Sequence, residues 1–131
     1  PQALYRKVCG LIYWRCVMNV FVFGSNLAGR HGKGAALHAK RYHGAIYGQG
    51  IGLQGNSYGI PTKGMKLEVL DLFKIKEHVF DFITFAKQNP NMTFEVTRIG
   101  CGLAGYKEIE IAPLFRDAPA NCILPEGWRQ T

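Results

Sequence analysis

The sequence predicts a single α/β domain built around a mixed, mostly parallel sheet. Short apolar runs rich in β-favouring residues alternate along the chain with segments of helical pattern. Two of these runs end in a glycine-rich stretch that leads into a predicted helix, which is the arrangement of a βα unit. A length of 131 residues suits one domain with one hydrophobic core.

Four segments carry a strand signal. The run 19–24 (NVFVFG) is apolar, favours β structure and ends in glycine, which is typical of a buried strand. Residues 93–100 (TFEVTRIG) alternate apolar and polar side chains before a glycine, as a strand with one buried face does. Shorter signals at 57–61 and 121–125 predict two further strands, and the remainder of 44–64 is glycine-rich and predicted to be irregular.

Three segments carry a helical pattern. The clearest is 71–90, where Asp71 is a suitable N-cap and an Asn-Pro pair ends the pattern. Its apolar positions repeat at helical spacing along one face: Ile75, Val79, Phe82, Ile83 and Ala86. Residues 33–43 contain several alanines and no helix breaker, and 106–118 is predicted to form a short helix.

Residues 1–17 differ from the rest of the chain because they have no acidic residue and no clear period. A clean strand pattern begins at Met18, and we therefore expect the single domain to span 18–131. Two interpretations of 1–17 stay open, namely an N-terminal extension or an edge strand of the sheet.

Positive charge is concentrated in the first half of the chain. The net charge is +7, yet residues 1–67 contain nine Lys and Arg and no Asp or Glu, whereas 68–131 contain seven and nine. Such asymmetry favours an anionic partner held by the first half. The alternatives are a solvated basic face and a non-catalytic nucleic-acid-binding module, although the aromatic residues are not interleaved with the cations as base stacking requires.

Two glycine-rich loops follow predicted strands and precede predicted helices. The first glycine loop, residues 24–34, has glycines at 24, 29, 32 and 34, and the second glycine loop, residues 98–108, has glycines at 100, 102 and 105. Ligands of open α/β sheets lie beyond the carboxyl ends of the strands, where helix N-termini present unpaired N–H groups. Two such loops at one sheet edge predict a site for two linked phosphates, with tight turns alone as the structural alternative.

The four cysteines show neither a CxxC pair nor a Cys/His spacing typical of a metal site: Cys9, Cys16, Cys101 and Cys122. They predict the reduced thiols of a cytoplasmic protein, and no motif predicts a cofactor or a metal ion. No apolar run approaches the ~20 residues of a membrane span, so no membrane partner is expected.

Three stretches resemble the ligand-binding segments of macrodomains, which are ADP-ribose-binding domains. Residues 31–45 (HGKGAALHAKRYHGA) are similar to their first phosphate-side loop and helix, 55–64 (GNSYGIPTKG) to a central strand, and 96–106 (VTRIGCGLAGY) to the second, diphosphate-clasping loop. The likeness covers most of 18–125. It is closest to short phage and bacterial macrodomain-like proteins that process ADP-ribose or ADP-ribose-1″-phosphate, and the second loop also resembles that of terminal ADP-ribose protein glycohydrolase.

This resemblance implies a three-layer α/β/α fold with ADP-ribose in a cleft over the sheet. The implied partner is an ADP-ribose-like small molecule or an ADP-ribosylated macromolecule. The residues expected to contact the ligand are Gly24, Asn26, Gly32, Lys33, Gly34, Ala35, Gly100, Cys101, Gly102, Leu103, Ala104, Gly105 and Tyr106. The implied activity is open among binding alone, an ADP-ribosyl hydrolase and an ADP-ribose-1″-phosphate phosphatase.

Three residues are candidates for catalysis. Lys63 falls where the glycohydrolase branch has a lysine that attacks the ribose anomeric carbon, but Ala104 stands where that branch has an assisting acid. Asn26 resembles the asparagine that many macrodomains direct at the distal ribose. His31 lies inside the first glycine loop, where an imidazole is suited to acid or base work near a phosphate. The structural alternatives are a solvated or phosphate-binding lysine, an asparagine in a turn and a solvent-facing histidine.

Overall fold

The structure is a computed structural model that describes residues 7–8, 12–13 and 18–129. The first two segments form the short strands β1 (Lys7–Val8) and β2 (Ile12–Tyr13), which pair antiparallel as a separate two-stranded sheet. The other residues of 1–17 lie outside the described part of the chain. The two interpretations of this segment therefore stay as they are.

A five-stranded sheet forms the centre of the domain, in the order β4-β5-β3-β6-β7. Its strands are β3 (Met18–Asn26), β4 (Gly52–Gln54), β5 (Ser57–Lys63), β6 (Met92–Val96) and β7 (Cys122–Ile123). The pairs β5–β3, β3–β6 and β6–β7 are parallel, and β4 pairs with β5 antiparallel. The predicted α/β class, with a mixed and mostly parallel sheet, is confirmed.

The helices are α1 (Gly34–Tyr42), α2 (Leu72–Gln88) and α3 (Glu108–Ile111), the last of which continues as a 3₁₀-helix (Ala112–Phe115). Asp71 caps α2 as predicted, because its carboxylate accepts a hydrogen bond from the Lys74 N–H at 2.9 Å. The third helix is shorter than the predicted 106–118. Pro113 has no N–H to donate to an i−4 carbonyl, and the chain therefore turns into the tighter helix at this point. In the described residues, no helix is both long and apolar enough to cross a membrane.

Hydrophobic side chains pack on both faces of the sheet. Along β3, Val20 and Val22 belong to the larger core with the buried face of α2, whereas Phe23 belongs to a second cluster with Ala36 and Ala39 of α1. Because successive side chains of a strand point to opposite faces of a sheet, β3 packs against α2 with one set of side chains and against α1 with the other. The small alanines of α1 allow that helix to approach the sheet closely.

The parallel strands β3, β5 and β6 end at the same edge of the sheet. A register shift between Ser25 and Asn26 ends the regular β3–β5 ladder, and Asn26 then pairs with Lys63. The shift therefore brings two of the predicted catalytic residues, Asn26 on β3 and Lys63 on β5, directly opposite each other. The sequence predicts irregular structure before residue 57, whereas the structure adds β4 there.

Candidate ligand-binding cleft

A cleft of about 880 Å³ opens at this edge of the sheet. Both glycine loops line it: residues 24–26, 30 and 32–36 on one side, and 97–104 on the other. Thr62, Lys63 and Leu67 line it from β5 and the turn that follows, and Tyr47 and Glu108 complete the described lining. The cleft therefore lies beyond the carboxyl ends of three parallel strands, where α/β proteins bind ligands.

The two glycine loops approach each other across the cleft. An ideal Cβ on Gly34 would lie 3.8 Å from Leu103 Cδ1, so the start of α1 faces the tip of the second loop. Deeper in the cleft, a Cβ on Gly24 would lie 3.6 Å from the backbone nitrogen of Gly100. One ligand is thus able to contact both loops.

The N-terminus of α1 opens into the cleft. Lys33 occupies the N-cap position without a side-chain hydrogen bond, and the first turn contains no acidic residue. The N–H groups of Gly34, Ala35 and Ala36 have no acceptor within the helix, and all three residues line the cleft. This end therefore carries unpaired donors and the positive end of the helix dipole.

The second glycine loop differs from the first in how it enters its helix. Glu110 Oε1 accepts a hydrogen bond from the Lys107 N–H at 2.9 Å, so a carboxylate of the chain already occupies the start of α3. The sequence predicts that Glu108 and Glu110 lie in the first turn of this helix, where acids suit the helix dipole, and the structure places them there. The second loop presents glycine backbone in place of an open helix end.

The cleft is lined by more positive than negative side chains. Arg30, Lys33, Lys63 and Arg98 line it, and Glu108 is the one carboxylate of the described lining. Glu108 is engaged, because its Oε1 accepts hydrogen bonds from Arg98 and, at 2.8 Å, from the indole N–H of Trp128. The electrostatic character of the site favours an anion.

Asn26 lies in the cleft, but its side chain also organises the first glycine loop. Its Oδ1 accepts from the Arg30 N–H at 2.8 Å, and its Nδ2 donates to the Arg30 carbonyl at 2.9 Å. Both ends of the amide thus hold the loop, and one N–H of Nδ2 is left for a ligand.

Lys63 lines the cleft beside Asn26, at the end of β5. Its backbone carbonyl accepts from the Leu27 N–H at 2.9 Å, which ties the strand end to the first loop. Ala104 also lines the cleft. A carboxylate that is free to act with the lysine is missing from the described lining.

His31 is buried, with 1% of its surface exposed, and lies outside the described lining of the cleft. Its Nε2 is 3.1 Å from Gln54 Oε1, which also accepts from the Ile46 N–H. Gln54 Nε2 donates to the Gly52 carbonyl, which fixes the orientation of the amide. With the amide in this orientation, His31 Nε2 donates to Gln54 Oε1, and His31 Nδ1 has no hydrogen-bond partner among the described residues. The histidine joins the first loop to β4.

Three further residues were predicted to contact the ligand, and one of them, Cys101, lines the cleft whereas Gly105 and Tyr106 do not. Cys101 lines the cleft, where burial and the Glu108 carboxylate raise the pKa of its thiol, and the thiol is thus kept in its less nucleophilic form. Gly105 and Tyr106 lie outside the described lining. Tyr106 closes the second loop instead: its N–H donates to the Gly100 carbonyl at 2.9 Å, and its hydroxyl donates to a backbone carbonyl near the start of α2.

Sequence reasoning missed the glycine-rich segment 44–55 as part of the site. This segment packs directly on the first loop, since a Cβ added at Gly29 would overlap Gly48 and one at Gly50 would overlap the carbonyl of Asn26. The packing brings Tyr47 to the cleft. The many glycines of segment 44–55 indicate that another backbone packs closely on it. They do not indicate that this backbone is the first glycine loop.

No family model, curated protein or solved structure matches this chain. Within the described residues, no three histidine, cysteine or carboxylate side chains are grouped so that they could hold a metal ion.

Proposed function

We propose that the protein is a macrodomain-like, three-layer α/β/α domain that binds ADP-ribose or a related NAD-derived nucleotide diphosphate. The observation that carries this proposal is the pair of glycine loops, which face each other across one basic cleft. A diphosphate offers two linked anionic groups, one for each loop. The open end of α1 supplies N–H donors to one of them.

Two glycines indicate that the loops are rich in glycine because they bind a ligand, and not because they form tight turns. A Cβ added at Gly32 or Gly102 meets no atom within 4 Å, and neither backbone is left-handed. The fold thus does not require glycine at these positions. Their missing side chains leave the backbone open to an anion.

The cleft is suited to binding the ligand, and its described residues do not form a complete hydrolytic pair. Asn26 and Lys63 lie side by side at the strand ends, where a ribose attached to the diphosphate would be within their reach. Since the described lining holds no free carboxylate, a lysine–acid pair for hydrolysis is incomplete.

Calorimetry with ADP-ribose, AMP and ribose-5-phosphate tests the proposal. ADP-ribose is expected to bind most tightly, because it alone of the three contains a diphosphate. If none of the three binds, the proposal is wrong.

Gly32→Glu and Gly32→Gln form a matched pair for the same assay. Both side chains enter open space, so only the glutamate adds a negative charge beside the expected phosphate. The glutamate variant is expected to lose about tenfold or more in affinity for ADP-ribose relative to the glutamine variant, which is roughly 1.4 kcal/mol. Equal losses would argue against an anion at this loop. RNA binding that is sensitive to salt and indifferent to Gly32→Glu would instead favour the nucleic-acid alternative.

A further inference from the structure

The second glycine loop offers an anion a different set of donors from the first. The first loop leads into the open start of α1, whereas the carboxylate of Glu110 already occupies the start of α3. The cation that the second loop contributes to the described lining is Arg98. Beside the glycine backbone, the Arg98 guanidinium is therefore the group of this loop that is suited to a phosphate.

Arg98 is held by an ion pair that lies in the cleft. Its Nη1 donates a hydrogen bond to Glu108 Oε1, and this is the single ion pair formed between described residues. The two side chains are 46% and 50% exposed, and ion pairs with this much contact with water contribute little to stability. Stability alone thus does not account for a carboxylate in a cleft whose other charged side chains are all cations.

Glu108 is fixed from the side of the hydrophobic core. The indole N–H of Trp128 donates to the same Oε1 atom at 2.8 Å. Trp128 is buried and packs on Phe115, with 5.5 Å between the ring centroids. Glu108 is also the first residue of α3, so its backbone is fixed as well. Three side chains thus form a connected series that runs from the core, through Glu108, to the guanidinium in the cleft.

This series leaves the Arg98 guanidinium able to bind a second anion. A guanidinium has five N–H donors, and Glu108 accepts from one nitrogen, Nη1. An unrestrained arginine loses rotamer freedom when a ligand orders it, and a side chain that is already ordered avoids much of this cost. Arg98 is thus preorganised to donate to a phosphate.

We propose that Glu108 is a positioning residue, which holds Arg98 in the cleft so that its guanidinium binds the phosphate at the second glycine loop. This inference rests on the proposed function and assigns the charge that the second loop supplies to the diphosphate. Trp128 acts one step further from the ligand, because it orients Glu108.

A double-mutant cycle tests whether Glu108 acts through Arg98. Calorimetry measures the affinity for ADP-ribose of the wild type, Arg98→Ala, Glu108→Ala and the double variant. Arg98→Ala is expected to weaken binding about tenfold or more, because it removes the donor and leaves the Glu108 charge unpaired beside the ligand. Glu108→Ala is expected to weaken binding roughly fivefold when Arg98 is present, and to leave it unchanged or strengthen it in the Arg98→Ala background.

Three further variants complete the experiment. Arg116→Ala and Glu77→Ala remove the same charges from exposed positions outside the described lining, and are expected to bind ADP-ribose within about twofold of the wild type. Trp128→Phe keeps an aromatic ring against Phe115 but removes the N–H that orients Glu108, and is expected to weaken binding roughly threefold. Melting temperatures of all the variants show whether the fold is intact.

The outcomes separate this inference from the proposed function. If ADP-ribose binds and Glu108→Ala weakens it equally with and without Arg98, the role of Glu108 is structural and the inference is wrong. Stronger binding by Glu108→Ala in the presence of Arg98 would show that the carboxylate blocks the guanidinium, and would also overturn it. An unchanged affinity in Arg98→Ala overturns the inference and leaves the proposed function in place, and an unchanged affinity in Trp128→Phe removes Trp128 from the series. If the wild type does not bind ADP-ribose, both proposals fail.

Discussion

Glycine serves two different purposes in this protein, and neighbouring positions illustrate both. A Cβ at Gly50 would overlap the carbonyl oxygen of Asn26, because segment 44–55 packs backbone to backbone on the first glycine loop. A Cβ at Gly32 would meet no atom within 4 Å. The first glycine is required by the fold, and the second leaves space in the cleft.

Substitution of these two glycines by alanine is expected to separate the two purposes. Gly50→Ala forces the backbones apart and is expected to lower the free energy of unfolding by about 2–3 kcal/mol, as overpacking does. Gly32→Ala is expected to change it by less than about 0.5 kcal/mol, as at an uncrowded surface position. Urea denaturation measures both values. Equal losses would contradict the close approach at Gly50.

Polar side chains of the first loop were harder to predict than its glycines. Asn26 is predicted to face a ribose, whereas in the structure both ends of its side-chain amide form hydrogen bonds with the backbone of Arg30. His31 was expected beside a phosphate, and it lies buried against Gln54. The partner of Asn26 lies four residues on in the same loop, which is the turn role that the sequence leaves open as the alternative. The partner of His31 is set by tertiary packing, and no local pattern in the sequence specifies it.

The elements with long periodic patterns were predicted well. Helix α2 has five apolar positions on one face and a capping aspartate, and both features are present in the structure. β4 was missed because a strand of three residues is too short to show alternation. The acids expected in the first turn after the second loop are present, and the carboxylate of Glu110 also accepts a hydrogen bond from the Lys107 N–H.

The cap of α2 predicts a measurable effect on stability. Asp71→Ala removes the acceptor for the Lys74 N–H and is expected to lower the free energy of unfolding by about 1 kcal/mol. Asp71→Asn keeps an oxygen acceptor and is expected to stay close to the wild type. Chemical denaturation of the three proteins measures the difference. A loss for asparagine as large as that for alanine would show that charge, rather than capping, stabilises this end.

The contact between β5 and α2 predicts a pH effect. Tyr58 packs on Phe82 and Phe85, and burial, reinforced by Asp81, raises the pKa of its hydroxyl from 10.0 to about 12. The unfolded chain therefore releases this proton at a lower pH than the folded protein does, and stability falls as pH rises between these two values. From pH 9 to pH 11, the wild type is expected to lose about 1 kcal/mol more than Tyr58→Phe does. Parallel losses for both proteins in urea denaturation would contradict the shifted pKa.

At the scale of the whole molecule, positively charged side chains from both halves of the chain line the same cleft. The first 67 residues carry nine cations and no carboxylate, and three of these cations, Arg30, Lys33 and Lys63, line the cleft. The fold adds Arg98 from the second half, because β6 lies next to β3. The composition indicated an anionic partner, and the sheet order determines where the cations meet.

The central claim is that two glycine loops hold one diphosphate, and amide NMR of the ¹⁵N-labelled protein during titration with ADP-ribose tests it most directly. The account predicts that the amides of Gly32, Gly34, Gly100 and Gly102 shift together along one binding curve, while those of Lys76 and Lys87 in α2, which lie outside the described lining, stay in place. Shifts confined to one loop, or no saturable shift in either, would contradict it.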